Sequence, residues 1–268
     1  MATILIVDDD AQLRHSFEKV LAGEGHSILT APTGEAGVER AKSDLPDLVI
    51  MDVRLPDGSG IEGENMRVLT RMRHKTGTNF YNMNCQLAVV YIQAMNALQE
   101  MLGLETLRAV VGGHSKRGRS ATVAAAIDPR VASAVIMGNE GVYATDRIQW
   151  HLSFHHAFFQ DQVDVPVFYL GATNEGGYNM FNVNLMQERL KQPMTIEMIP
   201  NYCHSNFSEI QYMDFLMWVS HIFDARPITQ IHKVSHERQA DRSVFRARIE
   251  SEAKVQIVRA WYVYSDDS

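Results

Sequence analysis

Ser115 has the sequence surroundings expected of a nucleophile. It lies within the run GGHSKRG at residues 112–118, after an apolar segment at 107–111 and before a small-residue segment at 121–126. This order predicts a strand, a tight glycine turn and a helix, with the serine hydroxyl lifted clear of the sheet. The alternative is an ordinary strand-to-helix turn in which Ser115 caps the helix.

An acid and a histidine follow Ser115 in the order that a hydrolase triad requires. An apolar strand predicted at residues 165–170 leads to Glu175, and a second predicted at 194–199 leads to His204. His204 could take the proton from Ser115, while Glu175 fixes its tautomer and stabilises the imidazolium. The sequence therefore predicts a catalytic triad of Ser115, His204 and Glu175.

An aromatic segment between the predicted strands suits an apolar substrate. Trp150, Phe154 and Phe158 lie in it, and we expect them to cover the serine and contact the substrate. The alternative is a zinc site formed by His151 and His155, because two histidines four residues apart can bind zinc on one face of a helix.

Four segments resemble the PhoPQ-activated pathogenicity-related proteins, a branch of the α/β-hydrolases. They are GGHSKRG at 112–118, DPRVASAVI at 128–136, VPVFYLGATNE at 165–175 and PNYCHS at 200–205. The likeness covers about residues 87–224 and implies hydrolysis with Lys116 supplying an oxyanion N–H from its backbone. The family usually has aspartate where this chain has Glu175. The early strands that would supply a second oxyanion donor are not recognisable, and losing one such donor costs about 10²–10³ in rate.

The N-terminal residues have a sequence pattern unlike that of the hydrolase-like part. Buried-strand patterns end at Asp8 and at Asp52, with another at residues 27–31, which predicts a βαβαβ unit. The runs VDDD at 7–10 and MDVRLPDGSG at 51–60 resemble a response-regulator receiver domain over residues 2–61. That resemblance implies Mg²⁺ held by Asp8, Asp9 and Asp52, with Asp52 as phosphoacceptor. The alternative is that these acids only shape loops.

The receiver likeness ends about halfway through such a domain. A complete receiver continues with a strand ending in Ser or Thr and another ending in Lys, and no such lysine appears. A histidine kinase partner is therefore not expected. Because each half would expose a strand edge, we predict that they complete one sheet, with the strand at 48–51 pairing with the strand at 107–111. The predicted order is 2-1-3-4-5 and onward.

The predicted fold class is thus α/β, with a doubly wound, mostly parallel sheet and a small β appendage at the C-terminus. We expect a receiver-like half domain at 1–63, a hydrolase-like part at 64–225 and a β tail at 226–268, with strands at 243–249 and 255–264.

Composition narrows the function classes. The chain has 268 residues, 46% of them hydrophobic, and a net charge of −7, which argues against nucleic acid as a partner. Cys85 and Cys203 give no disulfide framework, and no signal-peptide layout or membrane-length apolar run appears. These features predict a cytoplasmic protein without a membrane partner.

Two functions agree with the sequence. The first is a serine hydrolase, of carboxylesterase or peptidase type, that acts on a small ester or peptide substrate through an acyl-enzyme on Ser115 and needs no cofactor. The second is a non-catalytic signalling or scaffold protein that keeps the acidic pocket, where Mg²⁺ would bind.

Overall fold

The computed structural model describes residues 2–23, 25–52, 83–138, 159–173, 180–200, 202, 204, 208–240, 242–252 and 254–255. The strands are β1 (Thr3–Val7), β2 (Ser27–Ala31), β3 (Leu48–Met51), β4 (Ala109–His114), β5 (Val131–Met137), β6 (Val167–Ala172), β7 (Met194–Ile199), β8 (Gln230–Arg238) and β9 (Ser243–Glu250). The helices are α1 (Ala11–Gly23), α2 (Gly34–Asp44), α3 (Met83–Met101), α4 (Lys116–Ile127), α5 (Met180–Arg189) and α6 (Glu209–Asp224), with a 3-10 turn at Gln160–Gln162.

The strands form two parallel sheets and one antiparallel hairpin. The first sheet has the order β2-β1-β3, the second has the order β4-β5-β6-β7, and β8 pairs with β9. Ile4 lies opposite both Ile28 and Leu48, so β1 is the central strand of the first sheet. The predicted mostly parallel α/β fold with a small β appendage is confirmed.

The predicted pairing between the two halves is not found. Among the described residues β3 pairs only with β1, and β4 pairs only with β5. The halves are joined by side chains instead. Hydrophobic packing requires no matching strand register, so two sheets can share a core without sharing a hydrogen-bonded ladder.

Helix α6 provides that shared core. Leu216 packs with Ile4 and Ile6 of β1, while Trp218 packs with Phe168 and Leu170 of β6. At the end of α3, Leu102 packs against the opposite face of the first sheet. The helices thus cover both faces of the sheets, as a doubly wound fold requires.

The C-terminal hairpin differs from the prediction at one strand. The strand expected at 243–249 is present as β9, but its partner is β8, and most of the segment 255–264 lies outside the described residues. A register shift between His232 and Ser235 interrupts the alternation of β8, which explains why its sequence gave no strand signal. No helix in the described ranges is both long enough and apolar enough to cross a membrane.

Candidate active site

Ser115 occupies a strained turn between β4 and α4. Its φ is 56° and its ψ is −122°, a conformation outside the regions that non-glycine residues commonly adopt. In the part of the chain that the structure describes, the other non-glycine residues with positive φ are Leu45 and Ala225. Both have the left-handed helical values usual for a helix C-cap. The Ser115 N–H donates to the Met137 carbonyl of β5 at 2.8 Å, which holds the turn against the sheet.

Two glycines let the backbone close around this turn. A Cβ at Gly113 would lie 2.5 Å from the Cβ of Arg117, and one at Gly118 would lie 2.8 Å from the Gly113 carbonyl oxygen. Neither contact is sterically allowed, so the predicted need for glycine on both sides of Ser115 is confirmed. Ser115 is the N-cap residue of α4, as the alternative expected, but its hydroxyl makes no capping hydrogen bond to that helix.

Tyr91 supports the same turn from α3. Its hydroxyl donates to the Gly112 carbonyl oxygen at 2.8 Å, and its side chain is buried. The sequence alone does not reveal this role, since a lone tyrosine on an apolar helix face is indistinguishable from a core residue.

The histidine is placed beside the turn. The His204 ring lies 4.5 Å from the ring of His114, the residue that precedes Ser115. Strands β6 and β7 run side by side to their ends, where the Thr173 N–H donates to the Ile199 carbonyl at 3.1 Å. Because the strands are parallel, the segments that follow β4, β6 and β7 leave the sheet at the same edge.

Several predicted site residues lie outside the described residues. They are Glu175, Trp150, Phe154 and Phe158, together with His151 and His155 of the zinc alternative. Their proposed roles stay predictions. Lys116 is the first residue of α4, so its backbone N–H lies at the positive end of that helix.

The predicted acidic cluster forms in the first sheet. One carboxylate oxygen from each of Asp8, Asp9 and Asp52 lies within 4.8 Å of the others. Asp8 is only 7% exposed, and burial, followed by the negative charges of Asp52 and Asp9, raises its pKa to about 6. The Asp10 N–H donates to Asp8 Oδ1 at 2.7 Å and opposes part of that rise in pKa. The three carboxylates repel one another, and a hard divalent cation bound by their oxygens would relieve that repulsion.

Helix α6 approaches this cluster. Tyr212 packs with β1 and its ring lies 5.8 Å from the ring of Phe17 in an edge-on arrangement. Burial and the charges of Asp10 and Asp8 raise the pKa of the Tyr212 hydroxyl. The N-cap residue of α6, Ser208, follows His204 by four residues, so one helix lies near both candidate sites.

A second carboxyl pair links α6 to the other sheet. Burial and the neighbouring charge of Asp214 raise the pKa of Glu197 on β7 to about 8. Burial also raises the pKa of Asp214, although its hydrogen bond with Glu197 opposes that rise. Glu197 therefore keeps its proton near neutral pH and shares it with Asp214 through their hydrogen bond. No local sequence pattern connects these two acids, because one lies on a strand and the other on a helix.

The receiver likeness is supported by comparison with known proteins. The sequence profile of the response regulator receiver domain matches residues 4–81. The transcriptional regulatory protein AfsQ1 of Streptomyces coelicolor is 32% identical over 107 residues, 40% of this chain and 41% of that protein. The KDP operon regulatory protein KdpE of Escherichia coli is 40% identical over 62 residues, 23% of this chain and 28% of that protein. The chain thus spans less than half the length of these relatives, and the predicted receiver resemblance of its N-terminal part is confirmed.

Among solved structures, a putative dienelactone hydrolase from Klebsiella pneumoniae is similar over 84% of this chain and 86% of that one. The TM-score is 0.49 and the sequence identity is 15%. The resemblance to the PhoPQ-activated pathogenicity-related proteins stays a prediction.

Proposed function

We propose that this protein is a serine hydrolase of ester or peptide bonds, with Ser115 as nucleophile, His204 as general base and Glu175 as the acid that orients His204. The observation that carries this proposal is the conformation of Ser115, whose φ of 56° and ψ of −122° are maintained by close glycine contacts. Such strain costs about 1–3 kcal/mol and persists where a surrounding structure and a function require it. The Ser115 hydroxyl makes no capping hydrogen bond to α4, so no bond to that helix competes with its attack on a substrate.

In the proposed reaction, Ser115 Oγ attacks the substrate carbonyl carbon while its proton passes to His204. The imidazolium returns that proton to the leaving alkoxide or amine, and the acyl group remains on Ser115. Water then attacks the acyl-enzyme, with His204 again accepting and returning the proton. Glu175 accepts a hydrogen bond from the other ring nitrogen of His204 and stabilises the imidazolium. These steps require no cofactor.

Lys116 supplies the first oxyanion donor in this proposal. Its backbone N–H begins α4, where the helix dipole favours developing negative charge. Trp150, Phe154 and Phe158 are proposed to contribute apolar contacts to the acyl or leaving group. The expected substrates are therefore small esters or short peptides with an apolar group beside the scissile bond.

A fluorophosphonate probe tests the nucleophile, since only an activated serine reacts with it. Ser120 offers a matched control, because it lies in the same helix, is fully buried and donates its hydroxyl to the Lys116 carbonyl at 3.0 Å. The wild type and Ser120→Ala should label and hydrolyse short p-nitrophenyl esters, whereas Ser115→Ala should do neither. Equal labelling of Ser115→Ala and the wild type would refute the proposal.

A second candidate function is cation binding with phosphoryl acceptance at Asp52, favoured by the three carboxylate oxygens that lie within 4.8 Å of one another. Asp8, Asp9 and Asp52 would hold Mg²⁺, which would supply the positive charge needed to bring a phosphoryl group to a carboxylate. If this is the function, the hydrolase-like strands and helices have only a structural role.

Calorimetric titration with Mg²⁺ tests the cation site, and incubation with a small acyl phosphate tests Asp52. The wild type should bind Mg²⁺ and gain the mass of one phosphoryl group, while Asp52→Asn should gain no mass. An exposed acid of the same half, Asp44, gives the control variant Asp44→Asn. No heat of binding in the wild type would refute the cation site.

A further inference from the structure

Gln211 is a buried polar residue in the first turn of α6 and makes three hydrogen bonds. Its backbone N–H donates to Ser208 Oγ at 3.1 Å, and its Oε1 accepts from the Ser208 N–H at 3.2 Å. Its Nε2 donates to the Gly171 carbonyl of β6 at 3.1 Å. Only 1% of Gln211 is exposed, so water cannot replace these partners.

The bonded residues lie close in sequence to two members of the proposed triad. Gly171 precedes Glu175 by four residues, and Ser208 follows His204 by four. The segment that carries His204 begins at Ile199, which is held against β6 by the bond from the Thr173 N–H. It ends at Ser208, which Gln211 holds against the same strand. Both ends of the histidine segment are therefore fixed relative to the strand that leads to Glu175.

We propose that Gln211 is a positioning residue that sets the placement of His204 relative to Glu175 and Ser115. This inference rests on the proposed hydrolase function. A capping box alone would need only the two bonds with Ser208. The third bond, from Nε2 to Gly171, does nothing for the cap and joins the cap to the strand that leads to the acid. A displacement of about 1 Å at a catalytic group can cost about 10²-fold in rate. Loss of the bond from Gln211 to Gly171 is therefore expected to lower kcat.

The matched control is Ser133, which forms an equivalent link at the opposite end of the same elements. Its Oγ donates to the Pro166 carbonyl at the start of β6 and accepts from Trp218 Nε1 of α6, both at 2.8 Å. Ser133 and Gln211 thus each join α6 to β6 through a buried side chain, but only Gln211 does so at the edge that carries Ser115.

The test compares Gln211→Met with Ser133→Ala in ester hydrolysis and thermal melting. Met has a similar length to Gln and no donor, so the packing is largely kept. Both variants should melt at a lower temperature than the wild type. Gln211→Met should lower kcat about 10- to 100-fold with KM within twofold, whereas Ser133→Ala should leave both constants within twofold. If Gln211→Met does not give the wild-type circular dichroism spectrum, Gln211→Glu replaces it, since Glu keeps the acceptor for Ser208 and loses the donor to Gly171.

Double variants that also carry Glu175→Gln distinguish an effect on the placement of His204 from an effect on the stability of the protein. If Gln211 acts through the His204–Glu175 arrangement, Gln211→Met should cause little further loss of kcat in Glu175→Gln, while any effect of Ser133→Ala should be unchanged. A kcat within twofold of the wild type for Gln211→Met, or losses that multiply, would overturn the positioning role. If Glu175→Gln alone leaves kcat unchanged, the acid assignment fails, and the comparison with Ser133→Ala decides the role of Gln211. A wild type that neither labels nor hydrolyses esters refutes the proposed function itself, a result distinct from all of these.

Discussion

The imidazole rings of His114 and His204 lie 4.5 Å apart and are tilted by 42° relative to each other. His114 is the last residue of β4, so this contact holds His204 next to the residue that precedes Ser115. A ring at position 114 is therefore expected to limit the orientations available to His204.

Replacing His114 tests that relationship. His114→Ala should lower kcat for short esters about tenfold, because His204 loses its neighbouring ring and samples unproductive orientations. His114→Phe keeps a ring of similar width and should stay within about threefold of the wild type. Steady-state kinetics of the two variants provide the measurement. If Ala and Phe have the same effect, the ring contact has no bearing on His204.

The acid assignment can be tested in the same assay. Glu175→Gln should lower kcat by several orders of magnitude with little change in KM, because the lost charge matters mainly once the imidazolium forms. Asn174→Asp, added to that variant, should restore part of the loss. Asp161→Asn is the control, since Asp161 forms an exposed ion pair with Arg189 at 3.6 Å. A large loss in Asp161→Asn, with Glu175→Gln unaffected, would transfer the acid role to Asp161.

The element types could be read from the sequence because each has a strong local signal. The run at residues 4–7 is apolar throughout, and these residues of β1 are buried on both faces. Threonine is a residue type favoured at helix N-caps, and the Thr33 side chain accepts from the Ala36 N–H at 3.2 Å. The relation between the halves could not be read, because packing of Leu216 against Ile4 joins residues that no local pattern connects. Strand pairing was the wrong expectation for this reason.

The close contact between Gly113 and Gly118 gives a prediction about stability. Alanine normally favours a helix over glycine, yet a Cβ at Gly118 would lie 2.8 Å from the Gly113 carbonyl oxygen, a backbone atom that cannot turn aside. Gly118→Ala should therefore destabilise the protein by about 1–3 kcal/mol. Gly23→Ala, at the end of α1 with nothing within 4 Å, should be neutral or stabilising. Urea unfolding of both variants gives the comparison, and equal effects would contradict the crowded turn.

Residues of the candidate site could be predicted from the sequence where each one follows soon after the end of a strand. Ser115 and His204 were predicted this way, because a parallel sheet brings the ends of its strands to one edge, and the His204 ring does lie 4.5 Å from that of His114, next to Ser115. Gln211 could have been noticed as half of the capping box that starts at Ser208, but its bond to Gly171 spans 40 residues and leaves no sequence signal. Glu197 and Asp214 pair across a strand and a helix and were missed for the same reason.

The Glu197–Asp214 pair should make the stability depend on pH. The pKa of Glu197 is raised from 4.5 to about 8, so the folded protein keeps a proton that the unfolded chain releases. The free energy of unfolding should thus fall as the pH rises from about 4.5 to about 8. Glu197→Gln keeps a donor for Asp214 and should flatten this decline, with a gain of about 1–2 kcal/mol at pH 8.5, after allowing for solvent screening. Glu188→Gln, at an exposed site on α5, should behave as the wild type. Denaturant unfolding across this pH range is the measurement, and a decline that persists in Glu197→Gln would contradict the shared proton.

The acidic cluster should make a separate contribution at lower pH. The pKa of Asp8 is raised from 3.8 to about 6, so the stability that its neutral form contributes is lost as the pH rises through that interval. Asp8→Asn removes this loss and should stabilise the protein at pH 7.5 by about 1–2 kcal/mol, less than the full shift because water reaches the exposed Asp9. If the cluster binds Mg²⁺, the cation should stabilise the wild type at pH 7.5 and leave Asp8→Asn nearly unchanged. Asp44→Asn should respond to Mg²⁺ as the wild type does. Thermal melting with and without Mg²⁺ separates the two effects: stabilisation by Asp8→Asn without any response of the wild type to Mg²⁺ would leave charge repulsion as the only role of the cluster.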